Sequence, residues 1–226
     1  MRTICVIPSY NEEKTIAWLV GSVKGLGHDV LVVDDGSQDR TAAWAREAGA
    51  QVIENPKNLG KGSSLRRAFA IVVQRDHDCV VVLDGDGQHL PKDIARLLEG
   101  ARETGADVVV GNRMGRAKGM PLIRWLTNSA MSLLISFLCR QWIPDTQCGF
   151  RLMRREALKA LDLRTENFEI ESEILLMASR KGFKIRSVPI ETVYGEEHSD
   201  IHPGRDTARF FRFLFGLMRR STSAPF

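Results

Sequence analysis

Over residues 3–110 the chain alternates short apolar runs with helix-like segments, and several of the apolar runs stop abruptly in acids, amides and glycines. The pattern predicts strands at Thr3–Ile7, Val30–Val33, Gln51–Glu54, Cys79–Leu83 and Asp107–Val110, separated by helices over 12–24, 40–48, 62–74 and 91–103. Pro91 suits the first turn of its helix, where a missing N–H is no loss. Such alternation implies an α/β, doubly wound, mostly parallel sheet, since parallel neighbours are joined by crossover helices. The carboxyl ends of parallel strands share one edge, which is where open α/β sheets bind ligands.

What stands on that edge is chemically unusual. Val80–Leu83 runs into Asp84-Gly85-Asp86-Gly87-Gln88, Val30–Val33 into Asp34-Asp35-Gly36-Ser37, and Val6-Ile7 into Pro8-Ser9-Tyr10-Asn11-Glu12. A single Asp-Gly turn is adequately explained as a capped turn facing solvent. Three acidic strand ends on one edge are not, because convergent carboxylates repel unless a cation sits among them, and oxygen-only donors favour a hard divalent ion such as Mg²⁺ or Mn²⁺. A calcium loop starting at Asp84 would need Gly and Glu where His89 and Ala95 stand. A phosphatase of the haloacid dehalogenase type is disfavoured by Gln88 and by the position of the pair far from the N-terminus. Gly60-Lys61-Gly62 is not a Walker A loop, since Asn55 replaces the first Gly and Gly62 the Ser or Thr. It reads either as a helix entrance with a solvated Lys or as a loop over a bound nucleotide.

Taken in order, IPSYNEE, VVDDGSQDRT, NLGKGSSLR, VLDGDGQHLP, GNR and DTQCGFR resemble a family-two glycosyltransferase of the GT-A fold, in the branch of dolichyl-phosphate and polyprenyl-phosphate sugar synthases. The resemblance is strong over residues 1–155 and looser beyond. It implies a GT-A, Rossmann-like sheet and an inverting, metal-dependent hexosyltransferase. A sugar would pass from a GDP- or UDP-linked donor to a polyprenyl phosphate; the alternatives are a soluble glycosyltransferase acting on a small-molecule or protein acceptor and a non-catalytic nucleotide-sugar binding protein. By that resemblance Asp84, Asp86 and Gln88 hold Mg²⁺ or Mn²⁺. Pro8, Tyr10, Glu12, Asp34, Asp35, Lys61, Asp84, Gly85 and Asp86 bind the nucleotide sugar. Arg113, Arg124 and Arg205 meet the acceptor phosphate, with Asp84, Asp86, Arg113 and Arg124 as the catalytic set. Asp145, Gln147 and Glu171 line the sugar pocket; for Glu171, beside Glu169 at a helix start, stabilisation of the helix dipole is a sufficient alternative. Arg151 reads as a sugar-side group or as a structural ion pair. The chain departs from the pattern at Gly195–Asp200, which lacks the Lys many members carry there; His198, His202 or Arg205 are the substitutes at hand.

Beyond Gly111 the pattern changes. Arg113, Arg116, Lys118 and Arg124 occur without an acid, and Trp125–Cys139 runs without a charge. A core helix is one explanation. The other is an interfacial helix, with Trp at headgroup depth and arginines on phosphates. In the tail, Arg205, Arg209 and Arg212 share a helical face opposite Phe210, Phe211, Leu214 and Phe215. The expectation is a catalytic domain over 1–203, including the basic and apolar segment 112–143, and an amphipathic helix over 204–226. Its partners would be an anionic membrane surface, with a homodimer contact as the alternative reading of the tail, and no nucleic acid.

At 226 residues the chain suffices for one core, and no run reaches the 18–20 apolar residues of a spanning helix. Four cysteines without a Cys-x-x-Cys pair, two of them in strand-like runs, predict reduced, buried thiols. The expected location is therefore cytoplasmic, peripheral on the cytosolic face of a membrane.

Overall fold

The computed structural model describes residues 1–116, 122–193, 210 and 212. Seven strands form one sheet in the order β3-β2-β1-β4-β6-β5-β7. They are β1 (Thr3–Ser9), β2 (Asp29–Asp34), β3 (Gln51–Glu54), β4 (Cys79–Val82), β5 (Val108–Asn112), β6 (Arg151–Arg154) and β7 (Ile185–Pro189). β1 lies between β2 and β4, parallel to both, with Cys5 opposite Val30 and Val81. Every residue of β1 and β4 is buried, as expected for strands covered on both faces.

The helices are α1 (Ile16–Gly25), α2 (Thr41–Glu47), α3 (Lys61–Val72), α4 (Ile94–Thr104), α5 (Leu122–Cys139), α6 (Arg155–Ala160) and α7 (Ile170–Arg180). α1 buries Ile16, Leu19, Val20 and Val23, one face at helical spacing. It starts four residues later than the sequence suggests. Asn11 takes φ 54°, and the amides of Glu12 and Glu13 bond to the Thr41 hydroxyl and the Asp39 carboxylate, so this stretch is tied to the β2–α2 loop instead of coiling. Pro91–Asp93 likewise forms a separate 3₁₀ turn ahead of α4.

One strand runs against the rest. β6 is antiparallel to both neighbours, with Arg151 opposite Val82 of β4 and Val110 of β5. The segment entering β6 therefore arrives on the same edge that the parallel strands leave. α5 precedes it and packs on α7. Ser132 and Ser136 of α5 accept the amides of Thr146 and Ile143, which hooks 143–146 to the helix.

α5 presents one buried and one exposed face. Ser132, Ile135, Ser136 and Cys139 are buried, whereas Ile123, Leu126, Leu133 and Phe137 are exposed, Ile123 and Phe137 by 80% and 78%. Trp125, Leu138 and Trp142 extend that apolar surface. Among the described residues no helix is long and apolar enough to cross a membrane. All four cysteines are buried free thiols. The loop 195–200 and the tail from 204, apart from Phe210 and Arg212, lie outside the described residues, as do Arg205, His198 and His202.

Candidate active site at the carboxyl edge of the sheet

A cleft of about 600 Å³ opens where β1, β2 and β3 end, lined by Tyr10, Asp34, Ser37, Asn55, Lys57 and Asn58 among others. Asp34 is almost fully buried. Burial pushes its pKa up, against the opposing effect of Ser37, whose hydroxyl and amide both donate to the carboxylate. Asp35 does something else. It accepts the Asn55 side-chain amide (2.6 Å) and the backbone amides of Leu59 (3.0 Å) and Gly60 (2.8 Å), so it fastens loop 55–60 and is not part of the cleft lining. Pro8 is a buried residue of β1 opposite Val33 and also lies off the lining.

The loop after β4 is built for close approach. Gly85 rests on the end of β1, where a Cβ would meet Ser9 Oγ at 2.6 Å and Glu12 Cγ at 3.3 Å. Its carbonyl accepts the Thr15 hydroxyl at 2.6 Å, while Asp86 accepts the Gln88 amide at 2.9 Å and closes the turn. Asp84 and Asp86 are consequently held at the strand's exit, both partly exposed.

The expected crowd of carboxylates does not form. Asp34 and Asp35 are satisfied locally, and Asp84 faces the ammonium of Lys61 at 2.5 Å. The same Lys61 nitrogen lies 2.6 Å from Glu171, whose other oxygen pairs with Arg151 at 3.0 Å. The result is a file of alternating charge: Arg151, Glu171, Lys61, Asp84. Burial would lower the Lys61 pKa, but the two carboxylates more than reverse that and raise it. For Asp84, burial works upward and is overcome by Lys61 and His89, so its carboxyl stays well below the usual range.

Arg151 is buried and donates to the carbonyls of Cys148 and Thr146, each at 2.7 Å, and to that of Glu171, which identifies it as a structural ion pair. Glu171 stands in the first turn of α7 and turns inward, where it pairs with Lys61 and Arg151.

Three residues of the quoted motifs take part without a role assigned from the sequence. Gly149 backs the Lys61–Asp84 pair so closely that a Cβ would sit 2.5 Å from Asp84 Oδ2 and 2.8 Å from Lys61 Nζ. His89 is buried beneath Asp84, Nδ1 to Oδ2 3.9 Å, with Phe150 beside its ring. Burial lowers its pKa to about 4, so it is neutral at pH 7. Ser9 Oγ is buried without a hydrogen-bond partner among the described residues.

Arg113 donates Nε and Nη2 to Asp145 at 2.7 and 3.0 Å, and its backbone amide donates there too. Asp145 is fully buried and orients Arg113. Gln147 is half-buried and donates to the Thr146 hydroxyl. Arg124 falls in the first turn of α5.

The donors suit a hard divalent ion that completes its shell from phosphate. Among the described residues no three His, Cys, Asp or Glu side chains gather at one point, so the protein offers Asp84 and Asp86, with Gln88 nearby. Mg²⁺ is commonly held in this manner, by one or two carboxylates plus substrate phosphates. Asp84 already carries one cation, the Lys61 ammonium.

A mostly parallel sheet with a cleft at its carboxyl edge and an Asp-x-Asp turn at the exit of β4 is the arrangement of a glycosyltransferase of the GT-A fold. The chain belongs to glycosyl transferase family 2, whose family model matches residues 4–162. It is 31% identical to a UDP-N-acetylglucosamine–dolichyl-phosphate N-acetylglucosaminyltransferase of Methanococcus voltae, over 84% of this chain and 85% of that one. It is also 31% identical to an undecaprenyl-phosphate mannosyltransferase of Micrococcus luteus, over 87% and 85%. Among solved structures it resembles glucosyl-3-phosphoglycerate synthase from Mycobacterium tuberculosis in complex with Mn²⁺, UDP and phosphoglyceric acid. There the TM-score is 0.70 at 22% identity, with 99% of this chain and 79% of that one covered, a likeness of fold.

Proposed function

We propose that this enzyme transfers a sugar, with inversion, from a nucleoside diphosphate sugar to a polyprenyl phosphate at a membrane surface. The observation that carries the lipid acceptor is the outer face of α5. Its exposed Ile123, Leu126, Leu133 and Phe137 follow directly on the arginine-bearing loop after β5, and no acid occurs between Gly111 and Asp145. Apolar side chains at acyl depth with cations at phosphate depth are what a lipid phosphate requires. The relatives named for dolichyl and undecaprenyl phosphate support the same acceptor class.

In this reading Tyr10 and Asp34 receive the base, and Asp84, Asp86 and Gln88 hold Mg²⁺ or Mn²⁺, which when bound offsets the charge growing on the leaving diphosphate. Arg113, set by Asp145, and Arg124 place the acceptor phosphate. That phosphate is already anionic, so it needs alignment and screening and no general base. The bond from the anomeric carbon to the diphosphate oxygen breaks as a bond from that carbon to an acceptor phosphate oxygen forms on the opposite face.

The test is a transfer assay with Mn²⁺ and UDP- and GDP-sugars against two acceptors, a short polyprenyl phosphate and 3-phosphoglycerate. Product on the lipid alone is expected. Equal turnover on the soluble acceptor, or turnover without any lipid, overturns the acceptor assignment.

A further inference from the structure

We infer that Lys61 is the resident counter-ion of Asp84, and that the diphosphate of an incoming nucleotide releases it, so that a divalent ion is taken up together with nucleotide and only weakly alone. The inference rests on the donor half of the proposed function. Its basis is the position of one nitrogen. Lys61 Nζ is in ion-pair contact with Asp84 and Glu171, and its side chain is only 14% exposed.

That position is imposed from three sides. Lys61 opens α3 directly after Gly60, which takes φ 93° and whose amide is held by Asp35. Gly60 and Gly62 both press against the segment 165–167, where a Cβ on either would collide with backbone carbonyls. Glu173 accepts the amides of Arg164 and Thr165 and steadies that segment. Gly149 closes the third side, leaving no room for one further carbon beside the pair. The stem of Lys61 is therefore directed at Asp84 by the fold.

The charges explain the coupling. Arg151, Glu171, Lys61 and Asp84 alternate and cancel. A divalent ion added alone to Asp84 would stand beside an ammonium in a partly buried site, with no anion brought to compensate. An ion that arrives with a diphosphate supplies the ammonium with a replacement partner, and Glu171 retains the other end of the contact. Coupling of this kind is reciprocal: nucleotide tightens the ion, and the ion tightens nucleotide by the same factor.

The experiment is calorimetric titration of the full chain with Mn²⁺, with and without saturating UDP or GDP, for the wild type and Lys61→Met. In the wild type, Mn²⁺ affinity should rise at least tenfold when nucleotide is present. Lys61→Met should bind Mn²⁺ alone at least tenfold more tightly than the wild type and lose most of the coupling. Lys61→Arg should keep the weak binding of Mn²⁺ alone. If Lys61→Met does not fold, Lys61→Gln, which removes the charge and keeps the Glu171–Arg151 pair, carries the same expectation. Unchanged or weaker Mn²⁺ binding in the folded variant overturns the inference even if nucleotide binds normally. Tighter Mn²⁺ binding in a protein that takes neither UDP nor GDP upholds the counter-ion role and overturns the donor reading instead.

Discussion

Replacing Arg151 by Leu removes the buried end of the charge file, and the loss follows from its partners. The guanidinium pairs with Glu171 and donates to three backbone carbonyls. Removing one member of a buried pair costs about 3–5 kcal/mol. Each carbonyl left short of its donor adds roughly 1 kcal/mol, offset in part by the apolar contacts of Leu. A net destabilisation of about 4–6 kcal/mol is a large part of the roughly 5–15 kcal/mol that holds a domain together. For a chain of this size it lowers the thermal midpoint by about 10–20 °C. Urea unfolding and thermal circular dichroism of the two proteins measure it. A fall in midpoint under about 4 °C would mean that Glu171 and the three carbonyls find other partners, and the structural assignment of Arg151 would be wrong. Arg151→Lys should recover part of the pair but not the three-way donation, and should fall between.

Three further outcomes are expected. Asp86→Ala should lose roughly 10²–10³-fold in transfer, the scale of a Lewis-acid contribution, while the melting midpoint falls by only a few degrees, because it removes one turn hydrogen bond worth about 1 kcal/mol and no packing; activity equal to wild type, with or without chelator, refutes the metal assignment. Leu133→Glu with Phe137→Glu should abolish sedimentation with anionic vesicles, as both side chains are exposed on the outer face of α5, and equal sedimentation moves any membrane contact to the tail. His89 has its pKa lowered from 6.5 to about 4 by burial, so between those values the unfolded chain holds the extra proton and stability must fall as pH falls. The full effect is about 3 kcal/mol, read as thermal midpoint against pH, and His89→Gln should flatten the slope over that window; an identical slope in the variant would assign it to other groups.

The parallel half of the sheet is legible in the sequence because each strand is a branched apolar run with an acidic or glycine-rich exit. The direction of β6 is not. Arg151–Arg154 is four residues long, and nothing local says which way it runs between β4 and β5. The Asp-x-Asp turn can be read from spacing, yet what each carboxylate touches cannot. Asp35 and Asp34 are adjacent and do different work, because successive side chains at the strand's end diverge, one to loop 55–60 and one to the cleft. Lys61, Asp84, Gly149 and Glu171 come from four separate segments, and a close approach of backbone to an ion pair leaves only an unremarkable Gly in the sequence.

The antiparallel β6 also sets the order in which the molecule can be completed. Its edges bridge β4 and β5, which have no ladder with one another. A nascent chain that has emerged only as far as Asn112 holds five strands, but only the four of β3-β2-β1-β4 can pair, and β5 stands alone; the open edge of β4 and the lone β5 present unpaired amides and carbonyls that invite association with other chains. Closure waits for Arg151–Arg154, and the last carboxylate of the charge file waits for α7, beyond the residues matched by the family model. Synthesis must therefore run past Glu171 before any part of the chain has a finished catalytic edge. That places the molecule among late-closing folds, dependent on contacts far apart in sequence and slower to form than the local helices around them.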